Sequence, residues 1–153
     1  MIKKVQSYLT YLILKLYNKN LIVGKNFICG KSPSISKKNS IKIGDNFYMG
    51  NYCDLSSNLE IGNNVLVGSK VSFVGGDHKI DNIKDKLIRN SGRDVLKTTI
   101  IEDNVWIGTS SIILQGIYVA SGSVIAAGSV LTKSTRNNEI WAGNPATLIR
   151  KRK

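Results

Sequence analysis

A single histidine, His78, stands in the stretch VSFVGGDHKID at residues 71–81 of this 153-residue chain. An imidazole takes up and releases a proton near neutral pH, so on residue type His78 fits a general acid–base group. It also fits a loop-root residue that caps a corner. The chain holds two cysteines, Cys29 and Cys53. Two cysteines make no disulfide framework. With no CxxC motif and only one histidine, they are a poor ligand set, so no metal is expected. A count of 22 Lys+Arg against 10 Asp+Glu gives a net charge of +12. Such a surface attracts polyanions: nucleic acid, anionic lipid, nucleotide cofactors or acidic glycans. Aromatic and basic residues are not interleaved and no binding motif is recognised, so nucleic acid is not expected as a partner.

The scaffold that would position His78 is legible in the apolar residues. Hydrophobic residues make up 42% and charged residues 21%, as in a globular chain long enough for one domain with a core. Ile43, Met49, Leu55, Ile61, Val67 and Phe73 follow one another at intervals of six. Four residues after the first five come Phe47, Cys53, Leu59, Val65 and Val71. The series restarts at Ile101 and runs through Ile107, Ile113, Val119, Ile125 and Leu131. Its companions are Val105, Ser111, Ile117, Ser123 and Ser129. A weaker turn, Val23, Cys29 and Ile35, is out of phase by two residues. In VWIG, Val105 and Ile107 share one face of an extended strand and Trp106 points the other way. Corner triplets such as Gly44-Asp45-Asn46 and Gly62-Asn63-Asn64 separate the strands, and these residue types tolerate turn conformations. Strand, corner, strand, corner describes a solenoid. Both cysteines fall in inward slots and read as packed thiols.

The six-residue phase fails between Phe73 and Ile101, so residues 79–100 are expected to leave the coil as a charged loop rooted at His78. Counting slots places His78 on the outer wall, one coil above Glu60, which would orient the imidazole; a backbone carbonyl is the alternative. Asp77 falls in a slot that should be apolar. In MIKKVQSYLTYLILKLYNKN, Val5, Leu9, Leu12, Ile13 and Leu16 recur at helical spacing. The apolar run is broken by Gln6, Ser7 and Thr10 and no small-residue cleavage site follows, so a retained helix is expected rather than a signal peptide. It is too short to span a bilayer. Either it packs on the body, or it lies on an anionic membrane with Lys3, Lys4, Lys15 and Lys19.

The segment IIEDNVWIGTSSIILQGIYVASGSVIAAGSVLTKS (residues 100–134) and the ending AGNPATLIRKRK (142–153) resemble the hexapeptide-repeat acetyl-CoA-dependent acyltransferases. The resemblance is closest to the maltose and galactoside O-acetyltransferase branch and its polysaccharide-acetylating relatives. It implies an all-β fold: a left-handed parallel β-helix of about five coils with a short N-terminal helix and one long loop excursion. The organisation implied is a helix over 1–20, a β-helix domain over 21–150 with loop 79–100, and a basic tail over 151–153.

By the same resemblance, His78 is the catalytic base and acetyl-CoA the co-substrate, with no metal. Thr109 and Ala127 line the pantetheine groove. Thr132, Lys133 and Arg150 meet the nucleotide and its phosphates, Trp106 borders the site, and Asn144-Pro145 closes one end of the groove. Thr147 stands where relatives carry a second basic residue. The family forms homotrimers with sites shared between subunits. The activity implied is O-acetylation of a glycan or sugar hydroxyl in bacterial surface polysaccharide assembly. The N-terminal segment reads as that of a cytoplasmic protein, either free or peripherally attached at the inner face of the membrane. An N-acetyltransferase acting on a nucleotide-linked amino sugar and an antibiotic acetyltransferase are the alternatives. The zinc carbonic anhydrases of this fold need several histidines per site, which this chain lacks.

Overall fold

The computed structural model describes residues 2–81 and 87–153, with side chains from residue 5 onward, so residues 82–86 of the expected loop and the Lys3 and Lys4 side chains lie outside the described part. The chain forms the expected parallel β-helix, with five complete turns and the start of a sixth. Its first face stacks Leu21–Val23, Ile41–Ile43, Asn58–Ile61, Thr98–Ile101 and Tyr118–Val119. The second stacks Ile28–Cys29, Tyr48–Met49, Leu66–Val67, Trp106–Ile107, Val124–Ile125 and Glu139–Gly143. The third stacks Ser34–Ile35, Asp54–Leu55, Ser72–Phe73, Ile112–Ile113 and Val130–Leu131. All these pairings are parallel; a final strand, Ala146–Lys151, folds back antiparallel onto Glu139–Gly143.

The six-residue series from Ile43 to Phe73 and from Ile101 to Leu131 is buried at every position, as are its companions. Strands of two residues suffice because each presents one side chain to the axis and one to solvent. The first corner is an asparagine ladder. Asn26, Asn46, Asn64 and Asn104 all hold φ between 56° and 58°, a region that asparagine tolerates better than most residues. Asn26 Nδ2 donates to Asn46 Oδ1 at 2.8 Å, and Asn46 Nδ2 to Asn64 Oδ1 at 3.0 Å. The two-residue phase slip after Ile35 falls in the connection to Ile41, whose loop carbonyls at Ser36 and Asn39 accept hydrogen bonds from Asn18 Nδ2 at 2.8 and 3.0 Å.

The N-terminal helix, Ile2–Tyr17, lies across the open base of the first turn. Its docked face is not the apolar stripe. Ser7, Tyr11, Leu14 and Asn18 face the body, with Ser7 2% exposed and Asn18 fully buried. Val5, Leu9, Leu12, Ile13 and Leu16 point outward, Leu16 being 82% exposed. The reason is backbone chemistry. The first turn of a solenoid has no coil beneath it, so its amides and carbonyls need partners. Ser7 Oγ accepts from Cys29 N at 2.9 Å and donates to Phe27 O at 3.2 Å. Polar residues therefore share the buried side of this helix with Leu14 and Tyr11. Among the described residues no helix is long and apolar enough to cross a membrane.

The third-to-first-face connection after Phe73 is the long one. Val74 N still pairs with Ile113 O at 3.0 Å; the chain rejoins the first face at Thr98. Close stacking at the corners depends on glycine. A Cβ on Gly108 would stand 2.4 Å from Ala127 N and 2.8 Å from its Cα. Gly108→Ala should therefore cost about 1–3 kcal/mol, read as a lower denaturation midpoint. The last turn is pinned by Glu139, 4% exposed. Its Oε2 accepts from Arg136 N at 2.8 Å and from Trp141 Nε1 at 2.9 Å. The Arg136 amide chiefly, with Trp141, outweighs desolvation and holds the carboxyl below the ordinary carboxylate range. A folded value below the unfolded one stabilises at pH above the unfolded value, and that stability is lost as pH falls through the folded value. Thermal unfolding at stepped pH should show Glu139→Gln less stable than wild type at neutral pH, with the gap closing on acidification.

Candidate active site

His78 sits at the root of the excursion, where the outgoing and returning limbs are zipped together. It forms an isolated antiparallel bridge with Arg93. Asp94 N donates to Asp77 O at 2.8 Å, and Arg93 Nη1 to Gly76 O at 2.7 Å. Gln115, one turn above on the coil, clamps both limbs: its Nε2 donates to Asp77 Oδ2 at 3.2 Å and its Oε1 accepts from Lys97 N at 3.2 Å. Asp77 is thus exposed and hydrogen-bonded rather than directed into the core. Among the described residues His78 Nδ1 is buried without a hydrogen-bond partner.

The slot arithmetic that put Glu60 beneath His78 fails. Glu60 pairs in register with Lys42 below and Ile100 above. Its carboxylate meets Lys42 Nζ at 3.3 Å. The excursion, counted as one outward slot, in fact departs from a corner. Sequence reasoning also missed Arg93, Asp77 and Gln115 as the group that fixes His78. The contacts of Arg93 with Gly76 and of Gln115 with Asp77 span 17 and 38 residues and follow no repeat, so no sequence signal marked them.

The other singled-out residues distribute as follows. Trp106 is outward and 51% exposed. It belongs to an apolar ladder on the outer side of the second face, in register through Ile28, Tyr48, Leu66, Trp106, Val124 and Ile140. Arg150, Arg152 and Lys153 line the same groove as Trp106. Arg152 is held there, its Nη1 donating to Gly122 O at 2.8 Å. Thr109 and Ala127 are exposed and occupy equivalent places, one turn apart, at the corner between the second and third faces. Thr109 O accepts from Gly128 N at 2.8 Å. Thr132 and Lys133 follow Leu131 at the opposite edge of the third face. That is the edge His78 departs from, two turns lower, roughly 10 Å along the axis. Within one chain, Trp106 and Arg150 share one face, while His78 and Lys133 share an edge away from it. The structure does not bring these two groups together. The Asn144–Pro145 bond, between the last two strands, is cis.

The cysteines are excluded from nucleophilic work. Burial pushes the Cys29 thiol up to about 12, with Cys53 nearby adding to the shift, and burial also raises Cys53. Both are free and buried, and Cys53 Sγ donates to Gly68 O at 3.1 Å. Thiols so placed stay protonated at neutral pH. Among the described residues no group of His, Cys, Asp and Glu is arranged to hold a metal ion.

Known proteins share this architecture. Residues 98–133 match the family described as bacterial transferase hexapeptide (six repeats). A galactoside O-acetyltransferase of Lactococcus lactis is 39% identical over 64 residues, 42% of this chain and 31% of that protein. The chain spans about 30% of the length of the curated relatives it matches. The solved structure of a maltose O-acetyltransferase from Clostridium difficile is 34% identical, with a TM-score of 0.78, over 88% of this chain and 72% of that one. A galactoside acetyltransferase solved in complex with coenzyme A is 27% identical, also with a TM-score of 0.78, over 92% of this chain and 68% of that one. On the strength of the repeat, the fold and this shared sequence over most of the chain, the protein belongs to the hexapeptide-repeat acetyltransferase family.

Proposed function

We propose that this protein is an acetyl-CoA-dependent O-acetyltransferase that acts on a sugar hydroxyl, in the cytoplasm, during assembly of a bacterial surface polysaccharide. The observation that carries this reading is His78: the one imidazole of the chain, held by a dedicated clamp at the mouth of the excursion. The branch whose members O-acetylate maltose and galactosides supplies the acceptor class.

The residues present fit acetyl-CoA. Thr109 and Ala127 offer exposed backbone at a corner too tight for a side chain on Gly108. Trp106 gives an apolar wall, and Arg150, Arg152 and Lys153 beside it suit phosphates. Thr132 and Lys133 would serve the nucleotide end. Acetyl-CoA supplies an acyl group already activated as a thioester, so neither metal nor cysteine is needed. His78 would take the proton from the acceptor hydroxyl as its oxygen attacks the thioester carbonyl; the C–S bond breaks and coenzyme A leaves as the thiol, receiving that proton back from His78. Nδ1 is the enclosed nitrogen, which leaves Nε2 to meet the hydroxyl. A neutral imidazole that accepts at Nε2 carries its proton on Nδ1. A buried donor left unpaired costs about 1–3 kcal/mol, so an acceptor from the neighbouring subunit would complete the base.

This reading includes a homotrimer with sites between subunits, and the same geometry supports it. The base and the tryptophan wall lie on different sides of one chain, and a second chain placed against the apolar ladder would unite them and cover Trp106.

His78→Ala should lower acetyl transfer by about 10²–10⁴-fold, measured as thiol release from acetyl-CoA with a glycan panel, while CoA binding and unfolding temperature stay near wild type. Full activity in that variant would remove the base assignment. Lys133→Ala with Arg150→Ala should weaken CoA binding with a reduced salt dependence, read by calorimetry at two ionic strengths. Unchanged binding would place the phosphates elsewhere.

A further inference from the structure

The outer face of the N-terminal helix is unpartnered. Val5, Leu9, Leu12, Ile13 and Leu16 form a stripe diametrically opposite the docked residues Ser7, Tyr11, Leu14 and Asn18. The helix lies across the base of the solenoid, from Phe27 and Cys29 at one end to Ser36 and Asn39 at the other. Its stripe therefore points along the coil axis, away from the body. Over 16 residues it is roughly 24 Å long, a length that fits lying in a membrane interface and not crossing one. Tyr8 and Tyr17 are exposed at its flanks, the amphipathic aromatic type that sits at headgroup level.

The charge around this base is one-sided. Residues 1–44 contain nine lysines and no aspartate or glutamate, so they hold nine of the twelve net positive charges. The three corners of the first turn each present exposed lysine: Lys25, Lys31, and the pair Lys37–Lys38. A ring of cations thus surrounds an apolar stripe on the same end of the molecule. An apolar face worth only marginal binding by itself becomes a stable anchor when joined to a polybasic rim. We infer that the base of the solenoid docks on an anionic lipid bilayer, with the helix lying in the interface and the lysine ring over the headgroups. The occupant is a bilayer and not a protein groove, because the face is a convex stripe with cations on every side of it.

The test is flotation of the purified full chain with phosphatidylcholine vesicles, with and without phosphatidylglycerol. Wild type should float with the anionic vesicles, less so with neutral ones, and less at high salt. The triple variant Leu9→Gln, Ile13→Gln, Leu16→Gln alters only exposed positions, so its unfolding temperature should hold while partitioning falls at least about tenfold. Lys31→Glu with Lys38→Glu should lose the preference for anionic lipid. Wild type that stays with the soluble fraction, or a triple variant that floats as well as wild type, overturns the inference. So does sedimentation velocity showing that wild type, but not the triple variant, associates end to end, because the stripe would then belong to a second copy of this chain.

Discussion

Everything in this molecule hangs on a backbone hydrogen bond repeated from turn to turn. Gly44 N reaches Ile61 O at 2.8 Å, Gly62 N reaches Ile101 O at 2.8 Å, and Gly68 N reaches Ile107 O at 2.8 Å. The ladder holds register so strictly that Ile43, Ile61, Ile101 and Val119 stack on one another, as do Met49, Val67, Ile107 and Ile125. A core built this way needs no complementary shapes from distant elements. It needs an apolar residue of modest size at one place in every six. The same ladder sets the demands at its two ends. Below, Ser7 and Asn18 satisfy the first turn; above, the last strand folds back and Glu139 ties down the turn beneath it.

That regularity is why the core was legible in the sequence and why the site was legible only in pieces. The inward series from Ile43 to Leu131 follows from periodicity alone, and every member is buried. Trp106 could be placed outward because it lies between two inward residues of one strand. Periodicity carries no information once the chain leaves the coil. Glu60 was assigned to His78 by counting across the excursion, whereas the strand that covers Glu60 is the returning one, through Ile100. The clamp of Asp77, Arg93 and Gln115 joins residues whose separation depends on the length of an irregular segment. The helix misled for another reason. Apolar spacing reports which face avoids water, but an open solenoid end asks for hydrogen-bonding groups, and Ser7 and Asn18 answer that demand.

The distribution of chemistry follows from the prism. A three-sided coil turns its faces away from one another, so residues at one edge and on the far face never meet within a chain. His78 and Lys133 lie at one edge, Trp106 and Arg150 on the second face. The interior offers nothing in exchange: its two thiols are held in the protonated form. Reactivity is confined to edges and to the outer wall, where backbone comes close to whatever lies in the groove.

The excursion also bears on how such a protein diversifies. Its limbs are fastened to each other and to Gln115 within a few residues of the coil, and the ladder closes above and below it without a break in register. Lengthening a loop whose ends are already joined costs only about 0.6 kcal/mol per doubling. Residues beyond the clamp can therefore be inserted, deleted or replaced with little penalty to folding, while His78 stays where it is. A scaffold of this kind separates the inheritance of one position from that of its surroundings: His78 is locked to the repeat, while the segment beyond the clamp is free to drift.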